Sequence, residues 1–162
     1  MIHRFLPGIV LILIFSFFQL GFAETKTMKK DILSLESIGQ SSMDMNKNYE
    51  LIVVDFWASW CDPCKESFPF YEKLIKEKKD KNILFISINL DDEKEPALKF
   101  LKEFPTTFPS YWDKSKIFMK KLNFDFIPYM AIFNGKWELV DSIKGFNSKT
   151  RKKVKTLVEK IK

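Results

Sequence analysis

Two cysteines and one histidine are all that this 162-residue chain offers for thiolate or imidazole ligation, and the histidine, His3, lies in its N-terminal stretch. A protein zinc site takes four such ligands, so no metal is expected. Cys61 and Cys64 leave no cysteine to staple the rest of the chain. A bridge between them closes too small a loop to restrict the unfolded state much, which disfavours a structural disulfide framework. Arginine occurs only at positions 4 and 151. No stretch interleaves arginine with aromatic rings, so no nucleic-acid partner is expected. Repeats, low-complexity tracts and signs of a second domain are also absent. No cysteine follows the early apolar run, which excludes a lipid-anchored cysteine.

That run itself is informative. Arg4 supplies a positive start, Ile9 to Phe18 an apolar core, and Gly21-Phe22-Ala23 small residues at the −3 and −1 positions of a cut before Glu24. This is the pattern of a secretory signal over residues 1–23. The rival is an uncleaved membrane anchor. Gly8 to Ala23 is 16 residues broken by Ser16 and Gln19, short of the roughly 20 that span a bilayer. Either reading puts residues 24–162 in the periplasm or another extracytoplasmic space. The net charge of +6 comes from 27 basic against 21 acidic side chains, many of them mixed as in Tyr71 to Lys79. That mixture reads as a solvated helix face, and leaves at most a weak attraction to anionic membrane surfaces.

Residues 24–50 read as a polar lead-in with a weak apolar pattern at Ile32, Leu33, Leu35 and Ile38. Stronger signals begin at residue 51. Leu51 to Trp57 reads as a buried strand. Asp62-Pro63 opens a helix to about Lys79, with proline in the first turn where its missing N–H costs nothing. A second strand is expected over 83–90, helices over 93–104 and 114–122 (the latter with Ile117, Phe118 and Leu122 inward), and a short extended segment near 108–112. Tyr129 to Phe133 and Lys136 to Ile143 flank Asn134-Gly135, a strong hairpin signal. Ser148 is placed to cap a last helix, in which Val154, Leu157, Val158 and Ile161 recur at helical spacing. Parallel strands joined through helices and closed by an antiparallel hairpin make an α/β fold, a mixed sheet with helices on both faces.

A strand ending in Cys-x-x-Cys at a helix start suits thiol–disulfide exchange. The helix N-terminus favours Cys61 as thiolate, and Cys64, one turn in, is placed to attack a mixed disulfide from within. Asp62 opposes the thiolate, so the Cys61 pKa is expected below, but not far below, the roughly 8.5 of a free thiol. Asp55 lies inside the apolar strand, where a carboxylate is costly unless protonated or paired. The bland alternative is an acid at a half-exposed strand position.

The block Val53-Val-Asp-Phe-Trp-Ala-Ser-Trp-Cys-Asp-Pro-Cys-Lys65 resembles thioredoxin. With the export signal and Pro69, the chain is similar to exported thiol:disulfide oxidoreductases of the TlpA/ResA type. The resemblance covers roughly residues 51–147, most densely 53–69, and implies a thioredoxin-like domain over 51–162. It implies that Cys61 attacks, Cys64 resolves, and Asp55 manages the proton of the second cysteine. It also implies that Trp60, Pro63 and a cis-proline loop at Ile127-Pro128 meet the substrate. No cofactor is needed, since the dithiol holds the electrons. Protein thiols and disulfides are the implied substrates, with a membrane electron donor for resupply and cytochrome c maturation as one pathway. Two features depart from the pattern. Ser67 stands where a glutamate is usual, with Glu66 turned about 100° away, and the lead-in is shorter than the usual N-terminal hairpin. Two rivals remain: a disulfide-forming oxidase using the same pair, and a non-enzymatic binding or chaperone module. A peroxidase lacks any marked peroxide site.

Overall fold

Seven consecutive buried residues, Leu51–Trp57, form a strand at the heart of a six-stranded sheet. A computed structural model of the protein describes residues 28–42, 44 and 47–161; the signal read over residues 1–23 lies outside them. Residues 28–34 form a helical segment of their own. The main compact unit is Leu35–Lys162. In chain order its elements are β1 (Glu36–Ser37), β2 (Leu51–Trp57), α1 (Asp62–Glu77), β3 (Ile83–Asn89), α2 (Lys94–Glu103), β4 (Ser110–Trp112), α3 (Ile117–Lys121), β5 (Tyr129–Asn134), β6 (Leu139–Lys144) and α4 (Ser148–Glu159). The strand order is β1-β4-β3-β2-β5-β6. β2, β3 and β4 run parallel, while β1, β5 and β6 pair antiparallel to their neighbours. The polar lead-in thus supplies an edge strand, β1.

β2 is buried on both sides, which explains its unbroken apolar run. Alternation along the strand sorts its side chains. Leu51, Val53 and Trp57 join Phe85 of β3, Met130 and Ile132 of β5, and Cys64, Phe68 and Tyr71 of α1 in one core cluster. Val154 and Val158 of α4 and Phe100 of α2 complete it. The opposite face carries Phe56, whose ring meets Phe118 of α3 at 6.0 Å, Phe124 at 4.8 Å and Tyr129 at 6.0 Å. Helices therefore cover both faces. Trp57 sits against Phe68 at 4.9 Å and Phe100 at 4.4 Å, so a bed of edge-on and tilted rings underlies the loop that leaves β2.

Some expectations shift in detail. The hairpin forms, but Gly135 does not supply a left-handed turn residue; Trp137 does, at φ 65°. Asn134 closes the loop by accepting from the N–H groups of Lys136 and Glu138, so β6 starts at Leu139 rather than Lys136. Gly135 is needed for another reason: any Cβ there would run into the Tyr49 carbonyl. The cap of α4 is Asn147, one residue before Ser148, in a reciprocal capping box with Thr150. α3 is shorter than the spacing suggests, and Ile117 is exposed while Phe118 is the buried anchor. Phe118 owes its place partly to Asp113, whose carboxylate accepts from the Phe118 N–H at 3.1 Å.

Candidate active site

Trp57 ends β2, and the chain then turns through Ala58, Ser59 and Trp60 into α1. Cys61 is the N-cap of that helix, in extended conformation, with no side-chain cap bond. Its N–H donates to the Ala58 carbonyl at 3.1 Å, and its own carbonyl accepts from the Cys64 N–H at 3.0 Å. The two sulfurs are bonded at 2.04 Å, with the Cα atoms 5.3 Å apart. Cys61 is 4% exposed and Cys64 is 0% exposed. Both cysteines are therefore buried in the bridged form, and they differ in position: Cys61 caps the helix and Cys64 lies inside its first turn.

Asp62 and Pro63 are exposed beside the pair. The Asp62 carboxylate accepts from Lys65 Nζ at 2.7 Å, and this bond lowers the Asp62 pKa while raising that of Lys65. Lys65 therefore offsets the negative charge that Asp62 places next to Cys61. Trp60 is 70% exposed, a large apolar ring in solvent next to a reactive centre. Glu66 faces away and pairs with Arg151 of α4 at 2.9 Å.

A loop this close to the sulfurs must be held, and the holder is Asp91, just past β3. Its carboxylate accepts from the Ser59 N–H at 3.1 Å, the Ser59 hydroxyl at 3.2 Å and the Asn89 amide at 2.9 Å. Asn89 in turn accepts from the Asp91 N–H at 3.0 Å, and Trp112 Nε1 donates to the Asp91 carbonyl at 2.8 Å. Asp91 and Asn89 are both buried. Asp91→Ala strands the Ser59 and Asn89 donors, so it is expected to lower stability by about 1–3 kcal/mol in denaturant unfolding.

Asp55 is 0% exposed, and neither carboxyl oxygen closes a hydrogen bond. It lies on the sheet face that α1 covers, with Ser87 of β3 and Met130 of β5 as its register neighbours. Burial pushes its pKa well above the ordinary carboxylate range, more than the nearby Tyr71 hydroxyl lowers it. The half-exposed alternative is thereby excluded.

The Ile127–Pro128 peptide bond is cis. Pro128 immediately precedes Tyr129, which pairs with Phe56 near the end of β2, so the proline lies at the strand end that feeds the cysteine loop. Ile127 packs against the cluster containing both cysteines. The Pro128 carbonyl accepts from the N–H of Gly145 at 2.8 Å, and Gly145 adopts φ 72°, which favours glycine. Tyr129 points into the core, stacked on Phe124 at 4.2 Å, and lines no groove. The sequence reading missed Asp91, Asn89, Ser59 and Tyr71. Asn89 carries the signal that exposed Asp55, a polar residue inside an apolar strand. Tyr71 passes as one more ring at helical spacing.

These features define a thioredoxin-fold protein with a bridged Cys-x-x-Cys pair at a helix N-terminus. The Redoxin family model matches residues 36–160, and the chain belongs to that family. The thiol-disulfide oxidoreductase ResA of Oceanobacillus iheyensis is 32% identical over 49% of this chain and 42% of its own length. The Bacillus subtilis ResA is 23% identical over 58% and 52%. The chain thus spans about half the length of these relatives. Thioredoxin H5 of Arabidopsis thaliana is 34% identical over 56% of this chain and 68% of its own. Among solved structures, StoA of Bacillus subtilis superposes with a TM-score of 0.59, at 24% identity over 69% of this chain and 84% of that one.

Proposed function

We propose that this chain is an exported thiol–disulfide oxidoreductase that reduces disulfides in protein substrates. The observation that carries the reading is the bridged pair at a helix N-terminus: Cys61 as N-cap, Cys64 in the first turn, and a buried acid on the sheet face that the helix covers. In the reduced protein the Cys61 thiolate attacks one sulfur of a substrate disulfide. The other substrate sulfur leaves as a thiolate and takes a proton from solvent. Cys64 then gives its proton to the Asp55 carboxylate and attacks Cys61 Sγ. The mixed disulfide breaks, the second substrate thiolate leaves and is protonated, and the Cys61–Cys64 bridge forms. Two electrons have passed to the substrate, and a donor must return two to the bridge.

Trp60, Pro63, Ile127 and Pro128 form the substrate-facing rim in this proposal. The export reading of residues 1–23 places the protein outside the cytoplasm, with the working domain following the lead-in. Resupply in an oxidising compartment calls for a membrane electron donor, and apocytochrome cysteines awaiting haem are a fitting substrate class. The resemblance of the Val53–Lys65 block and the export signal to TlpA/ResA-type proteins favours the reducing direction. Equilibration with a glutathione or dithiothreitol buffer tests it: a reductase is expected at or below about −270 mV, whereas a value near about −120 mV would assign the pair to disulfide formation instead.

A further inference from the structure

The net charge of this chain is unevenly placed. Residues 147–162 carry seven basic side chains against one acid, Glu159, whereas residues 1–146 carry twenty of each, so the whole net charge of +6 falls in the last stretch. α4 occupies most of it. Val154 and Val158 turn to the core. Arg151 pairs with Glu66 at 2.9 Å and Lys153 with Asp141 at 2.8 Å, which ties α4 to α1 and β6. At about 100° per residue, Lys149, Lys152 and Lys160 fall on the side away from Val154 and Val158. All three are exposed, and none forms an ion pair among the described residues. Ser148, Thr156 and Glu159 share that side, and no aromatic or aliphatic side chain does. The lysines of α1 are different, since Lys73 pairs with Glu77 and Lys76 with Glu72. At the C-terminal end of α4, where Lys81 Nζ donates to the Ile161 carbonyl at 2.6 Å, lies a hollow of about 240 Å³. Lys47, Lys78 and Lys79 stand around it, over the more buried Leu74, Ile75 and Val158.

We propose that the outward side of α4, with the hollow at its C-terminal end, docks on a membrane surface bearing anionic phospholipid headgroups. A mixed-charge helix face reads as merely solvated, but this one is of nearly one sign. A specific protein interface is anchored by aromatic and arginine side chains and is poor in lysine. Here the free cations are lysines and no ring accompanies them. Lysine is a hydrated point charge on a flexible stem, which suits a surface of many mobile charges, each lysine near the headgroups adding its own attraction. The hollow adds a cationic rim over an apolar floor, which takes a headgroup phosphate together with the start of an acyl chain. Docking of this kind is peripheral and reversible. α4 also starts at the cysteine end of the domain. Glu66, the partner of Arg151, lies two residues past Cys64, and Gly145, two residues before the cap Asn147, donates its N–H to the Pro128 carbonyl. Docking through α4 therefore holds the cysteine loop beside the lipid surface, where a membrane-borne dithiol can meet it. That consequence alone rests on the redox reading above.

The test is co-sedimentation of the full chain at low salt with vesicles of phosphatidylglycerol and phosphatidylcholine in equal parts. Vesicles of phosphatidylcholine alone record any binding through the apolar run Ile9 to Phe18 and set the baseline. Binding to the mixed vesicles is expected above that baseline, and is expected to vanish at about 1 M salt, where the screening length is about 3 Å. The triple variant Lys149→Gln, Lys152→Gln, Lys160→Gln is expected to bind about 100-fold more weakly, at about fivefold for each lysine. Lys99→Gln, Lys102→Gln, Lys120→Gln removes the same charge from exposed positions on α2 and α3, and is expected to stay close to the wild type. Short-chain phosphatidylglycerol in solution is expected to shift the methyl resonances of Leu74, Ile75 and Val158, and inorganic phosphate to leave them in place. No binding above the baseline, binding that survives salt, or equal losses in the two triple variants overturns the proposal. So do equal methyl shifts with inorganic phosphate, which would assign the lysine rim to a free anion. Poly-glutamate that strips the protein from the vesicles at equal charge would assign the face to an acidic protein and overturns it too. The salt and lipid arms use the wild type, so they decide even if a variant does not fold. Sedimentation reads no thiol chemistry, so a protein that docks but exchanges no disulfide would overturn the functional reading alone.

Discussion

Cys61→Ala is expected to abolish disulfide exchange, a loss of at least about 10³-fold in turnover of a disulfide-bonded protein substrate. The reason is geometric. Cys61 caps α1 at the end of the loop that leaves β2, while Cys64 lies one turn in with no exposed surface, packed in the core cluster with Trp57 and Phe68. The remaining thiol in the variant therefore cannot reach a substrate disulfide, and no other cysteine exists to replace it. Steady-state turnover checks this. Retained turnover in the variant would contradict this role for Cys61, whereas substrate binding kept with no turnover in either protein would favour a binding module working through the loop around Pro128.

Asp55→Asn is expected to act in two opposed ways. On the proposed mechanism it removes the group that takes the Cys64 proton, so release of substrate from the mixed disulfide is expected to slow by about 10²-fold near neutral pH. The dependence of that step on Asp55 ionisation disappears with it. Stability moves the other way. The folded-state pKa of Asp55 is raised by burial, while the unfolded chain titrates near 3.9. Folding therefore holds a proton that the unfolded state gives up. The stability contributed by this group is fully present below the unfolded pKa and is lost as pH rises toward the folded one. Asparagine does not ionise, so the variant gains on the wild type across that window and matches it most closely in acid. Denaturant midpoints measured at several pH values, alongside single-turnover release, separate the two effects.

Much of this architecture is legible in the chain because local and tertiary signals agree. The run Leu51 to Trp57 reads as a buried strand and is one. Pro63 and Pro69 bracket a helix start that forms where the motif requires. The cysteine pair and Asp55 stand out because each is chemically out of place in its surroundings. Other parts depend on partners distant in sequence. Asp91 looks like an ordinary post-strand acid until folding brings Ser59, 32 residues away, onto its carboxylate. Tyr71 looks like core packing because its ring is core packing, against Phe85 and Phe146. The edge strand β1 comes from two residues, Glu36 and Ser37, that have no strand character of their own and pair because Tyr111 and Trp112 present an open edge. Gly135 fits the hairpin signal, yet its requirement comes from the Tyr49 backbone rather than from the turn.

The central claim is that Cys61 attacks and Cys64 releases. Cys64→Ser keeps the attacking sulfur and removes the releasing one, so mixing the reduced variant with a disulfide-bonded protein should leave a stable covalent adduct. Peptide mass mapping of that adduct is the most direct measurement. The substrate sulfur is expected on Cys61, with release on adding dithiothreitol. No adduct, or an equal yield of adduct in the Cys61→Ala variant that retains Cys64, would contradict the account.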